Sequence, residues 1–351
     1  MHILLRILFF CFGLWFLLFT FFSIVRTFVV PRNEKVFLIR FIFYLMKKIF
    51  SIILLYSKSF FYWDRVLALY APLSLLALSV TGIGLIWISY SAIFMGLNIP
   101  FYSATSLSGG FLLTLTGATD HGLAINLVGF SESVFGLVTI ALLVSFLPTI
   151  YSAFSKREVM VTRLEYRAGS NPSGVEIIAR LIRHGEAVHL DNLWSSWENW
   201  FVEMEESHTS LYALAFFRSP KPHRSWVNAA GAILDAAALV LSTVEKDHYY
   251  QAEMCYQAGV SALCGIAEFL NGPDSLCDKK NGTINITQEQ YRLACLKLRM
   301  QGVSLKTDSD QLWTDFKKLR MAYESALLFL AKLTVAPENS WANASADKSL
   351  F

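Results

Sequence analysis

The sequence predicts an all-α membrane protein: three transmembrane helices, a re-entrant segment between the second and third, and a helical soluble domain at the C-terminal side. Three observations predict it. Of 351 residues, 54% are hydrophobic and 16% charged, against about 45–50% and about 25% in ordinary soluble domains. Between Arg65 and Lys156 the only charged side chains are Asp120 and Glu132. The charge is also unevenly placed. Residues 1–152 carry nine Lys or Arg against four Asp or Glu, whereas the remainder carries 21 against 23 and reads as a protein folded in water.

The first element is the apolar run from His2 to Val30, bounded by Arg6 and Arg26. It exceeds the apolar region of about 7–15 residues in a secretory signal, and Phe22-Ser23-Ile24-Val25 is a poor cleavage site, so an uncleaved span is expected. The next stretch differs. Val36–Tyr56 is long enough to span but carries Arg40, Lys47 and Lys48, with Lys58 just beyond. At 100° per residue Arg40, Lys47, Ser51 and Lys58 fall on one stripe, opposite Phe, Ile and Leu. Burying each cation at mid-bilayer costs about 2.5–3.5 kcal/mol, so a helix lying in the interface is expected over 31–66.

The second span is Leu67–Leu97. Its Pro72, Gly82 and Gly84 are tolerated in membrane helices, and Trp87, Tyr90 and Tyr102 cluster toward its far end as an aromatic belt. The third is Leu127–Phe154, closed by Ser155-Lys156-Arg157-Glu158. Basic residues crowd the segment between the first two spans and the one after the third, which makes both cytoplasmic. The N-terminus and the loop at Asp120 then lie outside.

The C-terminal half reads as helical, with no convincing strand alternation. Asn171-Pro172-Ser173 opens a helix with Pro in its first turn, whose stripe is Val175, Ile178, Leu181 and Ile182. Leu193, Trp197, Trp200, Phe201 and Met204 form the next stripe. After a break at Ser219-Pro220-Lys221-Pro222, helices are expected near 225–244, 251–271, 287–303 and 309–334. The run 225–244 is apolar enough for a membrane, but Asn228 and central Asp235 mark it as a bundle core helix, with Asp235 paired to an Arg or His. The domain reading is 1–30 first span, 31–66 interfacial helix, 67–155 helix–loop–helix module, 156–336 helical domain and 337–351 disordered tail.

Between the second and third spans lies FYSATSLSGGFLLTLTGATD, Phe101 to Asp120. It is too polar for a span and too apolar for an exposed loop. A cation pore needs a short helix whose negative C-terminal end faces the ion, then extended backbone that aims carbonyls inward, with glycine where left-handed backbone is required. Ala104–Leu113 supplies such a helix. Thr114, Leu115, Thr116, Gly117, Ala118, Thr119 and Asp120 supply the carbonyl strand and mouth.

This segment resembles the pore loop of potassium channels, a Thr-rich approach followed by Gly-Tyr-Gly-Asp: Thr114, Gly117 and Asp120 match without gaps. The resemblance implies that the third span is an inner pore helix with Gly136 as hinge and Pro148 at the gate. The wider layout, with RExxVxxLxxRAGSxP from Arg157 to Pro172, looks like a group of bacterial potassium-channel-like membrane proteins. It implies a homo-tetramer in a bacterial inner membrane, with potassium or another monovalent cation as the permeant ion. The sequence departs from the family at Leu115, where Thr is favoured, at Ala118, in place of the aromatic, and at Thr119, in place of the second glycine. These departures support an alternative, a non-conducting membrane scaffold or sensor with a cytoplasmic protein partner.

Asp120 is a candidate to draw cations to the mouth, and Glu132 to brace the filter. Elsewhere no chemistry is expected. His184, His189, His208, His223 and His248 match no metal-ligand spacing, and Glu205-Glu206-Ser207-His208 has no positioned nucleophile. Trp194, Trp197 and Trp200 stand at core-packing intervals. A net charge of +3 does not call for nucleic acid. Cys11, Cys255, Cys264, Cys277 and Cys295 form no CxxC pair and are expected as reduced thiols. The expectation is no enzyme, no cofactor and no bound metal.

Overall fold

The structure, a computed structural model, describes residues 3–28, 36–55, 60–114, 122–169, 172–183, 190–245, 249–277, 284–307 and 309–337. Among these residues the chain is helical, apart from one isolated β-bridge between Val244 and Leu305. The α-helices are α1 (Ile3–Phe28), α2 (Phe37–Leu54), α3 (Phe60–Gly96), α4 (Phe101–Thr114), α5 (Leu123–Ala168), α6 (Gly174–Arg183), α7 (Leu190–Ser210), α8 (Trp226–Thr243), α9 (Tyr250–Phe269), α10 (Gln288–Met300), α11 (Ser309–Met321) and α12 (Glu324–Thr334). The chain divides into two compact units, Met1–Tyr56 with Leu69–Tyr151, and Ser57–Ala68 with Ser152–Phe351.

Four of these helices are long and apolar enough to cross a membrane, and their burial separates them. The apolar windows of α1, α3 and α5 are 28%, 39% and 22% buried within the protein, whereas that of α8 is 94% buried. The first three leave most of their apolar surface to lipid or to another chain. The last is the core of a bundle, as its Asn228 and Asp235 imply.

In the first unit, α1 and α3 meet through small residues. A Cβ on Gly13 would lie 2.7 Å from the Ser89 carbonyl, and one on Gly96 2.7 Å from the Phe10 Cβ, the close backbone approach that glycines permit between membrane helices. Helix α2 is two-faced. Leu38, Ile39, Ile42, Phe43, Phe50 and Leu54 are buried, Tyr70 donates its hydroxyl proton to the Phe43 carbonyl at 2.9 Å, and Lys47 and Lys48 are exposed.

The second unit is built around α8, whose residues are buried almost throughout, against α6, α9, α11 and α12. Helix α7 packs on α9 through Leu193, Trp194, Trp197, Trp200, Phe201 and Met204, all buried. Asp235 finds an arginine: Arg320 pairs with it, Tyr323 donates to it at 2.6 Å, and the Arg320 Nε donates to Glu324 at 2.9 Å. The single helix expected over 309–334 is two. Ala322 and Tyr323 donate to the carbonyls three residues back, Leu319 and Arg320, and α12 begins afresh at Glu324. No glycine or proline marks this break. It falls beside the residues that converge on buried Asp235.

The motif running from Arg157 to Pro172 is explained by packing. Val161, Leu164 and Ala168 are the buried stripe of the α5 tail. Gly169, at φ +92°, ends the helix and donates to the Glu165 carbonyl at 2.8 Å, the left-handed position that glycine occupies most readily. Ser173, rather than Pro172, caps α6 by accepting from the Glu176 amide at 3.3 Å.

Arg157 is buried against Glu158 at 2.9 Å, the carbonyls of Leu214 (3.0 Å) and Phe217 (2.7 Å), the His208 Nε2 at 3.3 Å and the rings of Phe154 and Trp226. Burial lowers the Arg157 pKa, with Glu158 opposing that shift. Burial, then the Arg157 charge, holds His208 well below its usual value of 6.5, against a backbone hydrogen bond to Met204.

The cysteine expectation needs correcting. Cys264 on α9 and Cys277 form a disulfide across 13 residues of sequence, while Cys11, Cys255 and Cys295 are free. The chain between them turns back through Asn271, at φ +66°, so that two cysteines without a redox-motif spacing still meet.

Candidate functional site

The candidate site is the seam where α4 packs between α3 and α5. Beyond the end of α3 at Gly96 the chain turns at Asn98, in the left-handed region at φ +74°, with Ile99 donating back to the Phe94 carbonyl at 3.1 Å. Pro100 then opens α4 by accepting from the Ala104 amide at 2.8 Å. At 1.5 Å per residue, the 14 residues of α4 reach about 21 Å, short of the ~30 Å hydrocarbon core. Helix α4 therefore cannot cross, while α3 and α5 can.

Helix α4 is keyed to both neighbours. On the α3 side the Trp87 indole donates to the Thr105 carbonyl at 3.0 Å, and the Ser108 hydroxyl lies 3.2 Å from the Trp87 carbonyl. On the α5 side the same Ser108 hydroxyl contacts the Glu132 carboxylate, and Ser133 donates to the Phe111 carbonyl at 2.7 Å. One residue along, Ser131 shares a proton with the Tyr90 hydroxyl at 2.9 Å, tying α5 to α3 directly. Ser108 and Glu132 are wholly buried.

Packing supplies the rest. Phe111 is fully buried, stacks on Phe94 at 6.4 Å and meets the edge of Phe130 at 6.0 Å. Its ring lies where a Cβ on Gly129 would be, and Leu112 Cδ1 lies 2.6 Å from where a Cβ on Gly136 would be. Two glycines seven residues apart on α5, two turns along one face, thus receive two consecutive side chains of α4.

The residues singled out in the sequence fall as follows. Glu132 is at the seam, with one oxygen on Ser108 and the other, Oε2, buried with no partner among the described residues. A buried polar atom of this kind costs about 1–3 kcal/mol, so Glu132 is a costly place in the seam. Gly136 lies inside α5 against Leu112, and α5 continues through Pro148 to Ala168. Thr114 is the last residue of α4. Leu115, Thr116, Gly117, Ala118, Thr119 and Asp120 lie outside the described residues. Gly122, at φ +92°, precedes α5 and accepts from Asn126 at 3.2 Å.

Sequence reasoning missed Trp87, Ser108, Gly129, Phe111 and Ser133 as parts of the seam. The seven-residue interval Gly129–Gly136 and the Ser-Leu-Ser-Gly-Gly of α4 were the available signals, since small residues line close helix contacts in membranes. Among the described residues no group of three His, Cys, Asp or Glu is placed to hold a metal. The chain matches no protein-family model, no curated protein and no solved structure.

Proposed function

We propose that this chain is the subunit of a potassium-channel-like cation pore, assembled from four copies because each contributes one loop. The supporting observation is the seam: a helix too short to cross, held by hydrogen bonds and glycine-seated side chains between two helices long enough to do so. In this reading α4 is the pore helix. Its C-terminal carbonyls at Thr114 carry the negative end of the helix dipole, and residues 114–120 follow as filter and mouth. Glu132 acts through Ser108 to hold α4 in register, and the second unit assembles or gates the pore.

Single-channel recording of the purified protein in planar bilayers tests this. Wild type is expected to pass a monovalent cation current that Gly117→Pro abolishes. Absence of cation current from wild type across voltage and pH would remove conduction. It would favour the second reading, a non-conducting membrane scaffold or sensor, which Ala118 and Thr119 at the filter support.

A further inference from the structure

A second site stands apart from the seam, in the second unit, on the segment that breaks the chain between α7 and α8. A small, half-open cleft there is lined by Arg218, Ser219, Arg224, Ser225, Trp226 and the end of α12. Three features of it favour an anion. The cleft sits at the N-terminus of the 18-residue helix α8, capped by Ser225, where first-turn amides lack intrahelical partners and the dipole is positive. Two guanidinium groups line it. And the Ser219 hydroxyl, on a residue only 8% exposed, is buried with no hydrogen-bond partner among the described residues although the residue borders the cleft.

The two arginines that line the cleft are paired, Arg218 with Asp64 and Arg224 with Glu165, and exposed Lys221 also reaches Glu165. An oxyanion in the cleft would meet a ready O–H donor in Ser219 and two planar guanidinium groups, the donors that suit phosphate geometry.

We propose that this cleft binds a compact phosphate-type oxyanion. Arg218 holds Asp64 of α3 at 2.7 Å and the carbonyls of Thr334 (3.1 Å) and Val335 (2.8 Å) at the end of α12. Arg224 holds Glu165 and, at 2.7 Å, Thr162, both on α5. A bound oxyanion competes with Asp64 and Glu165 for these two arginines, so its occupancy is linked to the ties on α3 and α5. That coupling rests on the channel reading; the binding does not.

The test uses the full chain, delipidated in detergent, with inorganic phosphate against chloride at matched ionic strength. Phosphate is expected to raise the melting temperature saturably. Ser219→Ala should melt no lower than wild type without ligand, since it removes an unpaired hydroxyl, yet bind phosphate about tenfold more weakly or worse, as loss of a hydrogen bond to a charged group implies. A parallel arm uses nanodiscs of phosphatidylcholine with or without phosphatidic acid. A Ser219-dependent shift seen only with phosphatidic acid assigns the site to a lipid headgroup, and one seen with inorganic phosphate assigns it to a free phosphoryl ligand. Equal shifts from phosphate and chloride with no lipid response, or undiminished binding by Ser219→Ala, would overturn the proposal. Binding without any channel current would sink the channel reading and leave the site standing.

Discussion

The seat of Phe111 on Gly129 gives the sharpest test of the seam. A Cβ at Gly129 would overlap the Phe111 ring, which is fully buried and boxed by Phe94 and Phe130. The ring has no open direction in which to swing, so α4 itself must move away from α5. Gly129→Val carries two further methyl groups into the same space. Overpacking of this kind costs about 1–3 kcal/mol, and three added carbons at a closed site argue for the upper end. Exchanging Gly for Val in a helix returns only a few tenths of a kcal/mol in propensity. The net expectation is a loss of about 2–3 kcal/mol. Gly84 on α3 is the control, because nothing lies within 4 Å of its would-be Cβ, and Gly84→Val should be neutral or slightly stabilising. Thermal unfolding of both variants in one detergent, followed by tryptophan fluorescence, measures the difference. If Gly129→Val melts with Gly84→Val, the α4–α5 seam is not closed at this point, and the pinning argument fails with it.

Two further predictions concern the second unit. Arg157→Met leaves Glu158 buried without its counter-charge and takes the guanidinium donors from the Leu214 and Phe217 carbonyls, of which Leu214 keeps the Phe217 amide at 3.2 Å, so about 3–5 kcal/mol of stability is lost. Adding Glu158→Leu should restore part of it, and urea unfolding of single and double variants reads this out. His208 makes the unit acid-sensitive. Its pKa in the folded state lies below the ordinary 6.5, through burial and then the Arg157 charge, so the unfolded chain binds the proton first. Stability is therefore unaffected by this group above pH 6.5 and falls as pH drops below it, by at most about 1.4 kcal/mol per unit. Urea midpoints of wild type and His208→Gln between pH 7 and 5 should show a shallower fall for the variant.

Helix positions were largely legible because apolar runs and periodic stripes are strong local signals. The α7 tryptophan stripe and the apolar α8 with its central Asp235 were visible for that reason. The Arg157–Pro172 motif was visible as a pattern but not as a cause. That Val161, Leu164 and Ala168 face a core, while Arg157 gathers carbonyls from the segment around residues 214–217, depends on contacts about 60 residues apart. The split at Ala322 and Tyr323 was illegible for the same reason, since no local residue breaks the helix. At the seam, Glu132 could be picked out because a carboxylate is rare in an apolar run. Ser108 and Gly129 could not, because serine and glycine are ordinary in membrane helices until a neighbour is known. The helix ends at Phe60 and Ala168 show a simpler limit: hydropathy marks where a span needs lipid, whereas α3 starts before the expected Leu67 and α5 runs past the expected Phe154.

The proposed sidedness makes a direct demand on Cys264 and Cys277. In that sidedness the basic residues between the first two spans, and Lys156, Arg157 and Arg163 after the third, would put the second unit in the cytoplasm by the positive-inside rule, where glutathione keeps most protein thiols reduced. A disulfide closing a loop of 13 residues is worth about 2–3 kcal/mol to the folded state, so the bond is not neutral to the unit that holds it. The two arguments are compatible if the pair is open in the growing cell and closes on oxidation. Acid-quenched cells treated with a thiol-reactive polyethylene glycol, first without and then with prior reduction, test this: both thiols should react without reduction. If the pair is instead blocked in quenched cells and released only by reductant, the second unit lies on the oxidising side. Every span then reverses, residues 115–120 face the cytoplasm, and the basic residues around α2 lie outside. In that case the outer mouth assigned to Asp120 is wrong, even though α4 keeps its seat against Gly129.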